Sequence, residues 1–125
     1  MRSITERLAE EHRLLEELLD ALETAIAGGN RIAECLEAAA GRARDHYERE
    51  RPFLESLATV APELAAKLTA QHDEACEIAA SFQEALREGQ ARDLPALARR
   101  FHAIAQHNVI EEERDVFPLA DRLLH

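Results

Sequence analysis

The chain is short of most features that would mark a sheet protein, a disulfide scaffold or a membrane protein. Its 125 residues contain no Trp, one Tyr and four Phe. Val and Ile are scarce, so there is little β-branched material from which to build a sheet. Four Gly and four Pro punctuate the chain without forming a low-complexity linker. Its two cysteines, Cys35 and Cys76, make no framework pattern, and a reducing cytosol is the default expectation. No apolar run is long enough to cross a bilayer. The opening residues, MRSITERLAEEH, are too charged for a secretory leader. Positive charge is also in deficit, with 15 Lys and Arg against 25 Asp and Glu and a formal net charge of −10. That balance excludes a nucleic-acid partner, which needs a basic stripe to displace counterions. It also excludes docking on an anionic membrane surface. Solubility and an attraction for cations remain.

What is present is helix-forming. Ala, Leu, Glu and Arg dominate, residues that lose little side-chain freedom in a helix, and apolar residues make up 46% of the chain. The length fits one domain, residues 1–125. Ser3 with Glu6 reads as a capping box. Ile4, Leu8, Leu15, Leu19, Leu22 and Ile26 follow at helical intervals until Gly28-Gly29-Asn30, which ends this helix and can cap the next. A second stripe runs through Ile32, Leu36, Ala39, Ala43, Phe53 and Leu57. Pro52 inside it is expected to kink or shorten the helix. Pro62 suits the first turn of a third helix carrying Leu64, Leu68, Ala75, Ala79, Phe82 and Leu86, which Gly89 stops. Asp93-Leu94-Pro95 opens a fourth with Leu97, Phe101 and Ile104, and Phe117-Pro118 interrupts it before a short turn over Leu119 to Leu124. The helices would have roughly 20 to 27 residues and lengths of about 30–40 Å. Short links make neighbours antiparallel, so the expected fold is an all-α, up-down-up-down four-helix bundle with a short C-terminal helical turn.

Polar residues sit on these apolar stripes. His12 is four after Leu8 and three before Leu15. His46 is three after Ala43, and His72 is four after Leu68 and three before Ala75. His107 is three after Ile104, toward the edge of its stripe. One histidine from each helix is thus expected to face the axis. Glu50 follows His46 by four and Glu111 follows His107 by four, a spacing that puts each pair on one helix face. A glutamate facing a dry core costs several kcal/mol unless it is paired or binds a metal. Imidazole and carboxylate donors suit iron, manganese or zinc. Four imidazoles and two carboxylates are too many for one tetrahedral ion and suit two, bridged by the carboxylates. The other glutamates, Glu11 among them, read as a solvated face. Cys35 reads as a small core residue. Cys76, one turn after His72, reads as core filler or else as a soft ligand or redox-active thiol. His102 is expected at the surface.

The elements EHRLLEELLDAL around His12, HYERE from His46, QHDE around His72 and HNVIEEERDVFPLA from His107 resemble, in this order, the hemerythrin-like family, also called the HHE cation-binding domain. The resemblance covers nearly the whole chain. It implies a four-helix bundle around a non-haem di-iron centre, oxo- or hydroxo-bridged. His12 and His46 would ligate one iron, His72 and His107 the other, and two glutamates would bridge them. Glu50 is one bridge. Glu111 is the other on regular helix geometry, with Glu112 the alternative. The Phe-Pro pair that follows the family's last motif comes one residue late here, at Phe117-Pro118, which points to Glu112, and a π-bulge after His107 would reconcile that residue with the histidine. Where the oxygen carriers have a further histidine, this chain has Cys76, which weighs against plain reversible oxygen carriage. The implied function is binding of O2, nitric oxide or peroxide for sensing, storage or oxidative and nitrosative stress response. The alternatives are an enzyme turning over peroxide or nitric oxide, and an iron-handling or iron-sensing module.

Overall fold

The computed structural model describes residues 3–123. Four long helices carry the fold: α1 Ile4–Gly28, α2 Ile32–Ala58, α3 Pro62–Arg87 and α4 Leu94–Glu111. A π-helical turn, Glu112–Val116, continues α4 directly into α5, Phe117–Leu123. Among the described residues there is no strand. Helices adjacent in sequence pack side by side, and α4 returns against α1 to close a four-helix bundle.

Local sequence sets the boundaries. The Ser3 side chain accepts a hydrogen bond from the Glu6 amide at 3.1 Å and starts α1. Gly29, at φ 65°, ends it in the left-handed conformation that glycine adopts without strain. The residue that caps α2 is Arg31, not Asn30, and it holds φ 61°. That conformation is uncommon for a side chain with a Cβ. Pro62 opens α3 as expected.

Two expectations about proline change. Pro52 neither ends nor shortens α2, which runs through to Ala58. Proline removes the amide that the Glu48 carbonyl would take, and both residues lie on the exposed side, where water can serve that carbonyl. Phe117-Pro118 does not break the chain's helical course either, because the π-helical turn precedes it. Its wider bond, from the Phe117 amide to the Glu112 carbonyl, lets Glu112, Val116, Phe117 and Ala120 all turn inward. Leu124, the end of the expected terminal turn, lies outside the described residues, as does His125.

The core is divided. One apolar cluster, called the upper cluster, contains Leu15, Leu19, Leu22, Leu36, Phe82, Phe101 and Val109. Another contains Leu8, Phe53, Leu57, Leu68, Val116 and Phe117. On each helix a polar residue stands between the two clusters. His12 falls between Leu8 and Leu15, Glu50 between Tyr47 and Phe53, His72 between Leu68 and Ala75, and Glu112 between Val109 and Val116.

Candidate metal centre

The polar layer is buried in depth. His12, His46, Glu50 and Glu112 are each 0% exposed, and His72 is 6% exposed. One donor atom from each of His12, His46, Glu50 and Glu112 lies within 4.8 Å of all the others. His12 Nε2 is 2.9 Å from Glu112 Oε1, and His72 Nε2 is 3.0 Å from Glu112 Oε2. His72 Nε2 also stands 3.5 Å from Glu50 Oε1. The two carboxylates therefore lie between the His12 and His46 rings on one side and the His72 ring on the other.

The rings are held by their surroundings. His12 stacks on Phe117 with centroids 5.3 Å apart, and its Nδ1 is 3.5 Å from Glu113 Oε1. His72 stacks on Tyr47 at 3.9 Å. His46 Nδ1 is 2.6 Å from Glu11 Oε1, and Arg49 donates to the other oxygen of Glu11 at 2.8 Å. A carboxylate only accepts, so Nδ1 of His46 carries the proton. In the neutral ring Nε2 then turns a lone pair toward Glu50 Oε2 across 2.7 Å. This contact lacks hydrogen-bond geometry, and His46 Nε2 and both Glu50 oxygens are buried without a hydrogen-bond partner. Two lone pairs so placed repel unless a proton or a cation lies between them. A carboxylate fixing one histidine nitrogen while the other faces inward is also the arrangement that orients a metal-binding imidazole. The donor set fits a metal ion.

Electrostatics agree. Burial, together with the neighbouring Glu112 carboxylate, pushes the Glu50 carboxyl up to about 7, against the lowering influence of His46. Burial and the nearby His46 hold His12 below its ordinary value. Burial would also lower His46, but the adjacent Glu50 and Glu11 carboxylates outweigh burial and raise it. Such opposed displacements mark ionisable groups crowded into a dry space.

The structure places the remaining candidates elsewhere. His107 does not face the bundle axis: its side chain is 60% exposed and lies 3.1 Å from Glu111 Oε2. Glu111 is buried at the seam of α3 and α4, where it pairs with Lys67 and accepts from Gln71 Nε2 at 2.8 Å. Lys67 and Gln71 hold its carboxyl below the usual range. The reason is helical phase. The Glu112 amide bonds to the Asn108 carbonyl as in a regular helix, so the π-helical turn begins too late to bring Glu112 into line with His107. Glu112 shares its face with Asn108, and His107 shares its face with Glu111. Asn108 is buried and donates to Gln71 Oε1 at 2.7 Å. Cys76 is exposed and is not core filler. Burial of its sulfur and the nearby Asp73 raise its thiol, which disfavours the reactive thiolate. Cys35 is half-buried against the upper cluster. His102 is partly buried, 3.7 Å from Glu23 of α1, and is not a plain surface residue.

Sequence reasoning missed Glu11, Gln71 and Asn108. The first two act across helices, which spacing along one helix does not report. Asn108 had a signal: Ala98, Phe101, Ala105, Asn108 and Glu112 form one buried ladder at intervals of three and four.

No curated protein and no solved structure matches the chain. The family model for the hemerythrin HHE cation-binding domain matches residues 3–120. With that match spanning nearly its whole length, and a buried His/Glu cluster able to hold a metal at the centre of its bundle, the chain belongs to the hemerythrin HHE cation-binding domain family.

Proposed function

We propose that the protein holds a non-haem di-iron centre through His12, His46, His72, Glu50 and Glu112, and that it binds a small ligand, O2, nitric oxide or peroxide, in sensing, storage or defence against oxidative and nitrosative stress. The observation that carries this reading is His46 Nε2 facing the Glu50 carboxylate at 2.7 Å in a layer with no water-exposed atom on either side chain. That arrangement is costly with nothing between the two groups and favourable with a cation. Iron bound there supplies open coordination positions for a diatomic ligand or peroxide. The chain's own residues do the rest. Glu11 and Arg49 fix the His46 ring, Phe117 and Tyr47 stack against His12 and His72, and the apolar clusters on both sides exclude bulk water. His72 and Tyr47 line a groove between α2 and α3, which is the entry for a small ligand. The free thiols Cys35 and Cys76 suit a reducing compartment such as the cytosol.

Iron sensing is the second reading, and the same buried charges favour it. Ligands that stand uncompensated in the core destabilise the metal-free form, so occupancy is coupled to stability and through it to partner binding.

Elemental analysis of protein purified without chelators, followed by optical spectra with azide, peroxide and nitric oxide, tests the proposal. About two irons per chain and a ligand-sensitive charge-transfer band are expected. A well-folded protein that takes up no iron would overturn it. Iron uptake that raises the melting temperature without any spectral response to these ligands would favour the sensing module.

A further inference from the structure

We infer that the two metal positions are unequal: a retained ion between His12, His46, Glu50 and Glu112, and an exchangeable ion at His72 that opens to the groove between α2 and α3. The inference rests on the metal-centre reading above and concerns how that centre is filled.

The donor count comes first. The retained position has two imidazoles and two carboxylates within 4.8 Å of one another. On the other side, among the described residues, only His72 reaches the shared carboxylates, at 3.0 Å and 3.5 Å. Neither of the two other candidate donors completes that position. His107 points to solvent and is engaged with Glu111. Cys76, one turn after His72, is exposed, and its thiol is disfavoured as thiolate.

Orientation of the rings is the next difference. His46 is fixed by Glu11, itself tied to Arg49, whereas Nδ1 of His12 makes no hydrogen bond, with Glu113 Oε1 3.5 Å away. Among the described residues no carboxylate or carbonyl is seen to bond to Nδ1 of His72; apart from its Nε2 contacts with the shared carboxylates, its ring stacks on Tyr47. Partners of this kind commonly change metal affinity by roughly ten- to a hundred-fold.

Access differs in the same sense. His12 and His46 are sealed between the two apolar clusters, whereas His72 lines the α2–α3 groove with Tyr47, Thr69, Asp73 and Cys76. An ion at His72 can leave by that groove without disturbing the other. The second position is thus suited to metal exchange, or to mixed occupancy by two different divalent cations.

The test is stepwise loading of metal-free protein with Co(II), then timed exposure to a chelator, with elemental analysis and the visible spectrum as readouts. Wild type should take up two equivalents, one lost to chelator at least about ten-fold faster than the other. His72→Gln should bind one equivalent and keep it; His46→Gln should lose the slowly released ion; His107→Ala should match wild type. Helical circular dichroism on each variant separates loss of a ligand from loss of fold. Two ions released together would overturn the inference, as would a single equivalent indifferent to His72, or loss of the fast ion in His107→Ala. Failure of folded wild type to bind any Co(II) would instead overturn the metal-centre reading itself.

Discussion

Glu111 and Glu112 are neighbours in the chain and both are buried, yet they serve different parts of the molecule. Glu111 joins Lys67 and Gln71 at the α3–α4 seam, while Glu112 spans His12 and His72 at the centre of the bundle. Regular helical phase separates their environments, because the Glu112 amide still bonds to the Asn108 carbonyl.

Substituting the two separately should therefore give different results. Glu112→Gln is expected to reduce bound metal severely, because it removes a charged donor shared by both sides of the site. Glu111→Gln should leave metal content near that of wild type. Elemental analysis of the two variants at matched helical content decides between them, and equal losses would contradict the geometry.

Removing Glu50 should also strip the centre of metal and removing His46 should cost it the slowly released ion, while His102→Ala should do neither, since His102 faces Glu23 on α1 and not the polar layer. Glu11→Gln should show an intermediate effect, weakening metal binding by roughly ten-fold or more through loss of ring orientation. Competition against a chelator of known affinity measures this.

This contrast shows what was legible in the chain. The four helices followed from apolar spacing, and His12, His46, His72 and Glu50 fell on inner faces because their positions lie squarely between strong core residues. The fourth helix was harder. Its phase was set from Ile104, which is only partly buried, and that carried His107 inward and favoured Glu111. The ladder ending at Glu112 passes through Asn108, a polar residue that does not look like core. Glu11 was unreadable for another reason: its value comes from His46, a residue 35 positions away on another helix.

The metal-free protein should lose stability as pH rises from about 5 to 7. Burial pushes the folded Glu50 carboxyl up to about 7, above its ordinary value of 4.5, so the folded state binds the extra proton in this window and stability falls with pH. A difference of this size corresponds to about 3 kcal/mol. The raised His46 acts in the same direction: its contribution is complete below its ordinary value and is lost as pH rises through the folded one. The lowered His12 opposes both, since protonating it at low pH disfavours the fold. Metal should reverse the trend, because its ligands bind as deprotonated groups. Urea midpoints against pH, with and without metal, check this, and Glu50→Gln should flatten the metal-free curve.

Packing and metal binding should separate at Leu22. This side chain is fully buried in the upper cluster, away from the polar layer. Leu22→Ala is expected to cost about 2–5 kcal/mol while the folded fraction keeps its metal. Phe117→Ala should lose both stability and metal affinity, because its ring also rests on His12. Denaturation curves and metal analysis on the same samples compare the two.

Cys76 should react slowly with thiol reagents near neutral pH despite its exposure, since its thiol is raised. Its modification rate, set against that of a small free thiol, measures this, and Cys76→Ser should retain metal.

The polar layer draws one residue or more from each of the four long helices or the turn that ends the last, and His12 and Glu112 are a hundred positions apart. No hairpin of two helices carries the complete donor set. The first two helices already hold His12, His46 and Glu50, but they lack Glu112. The four-donor position closes only when the π-helical turn packs against the first helix, so tight metal binding reports that the fourth helix has docked on the first.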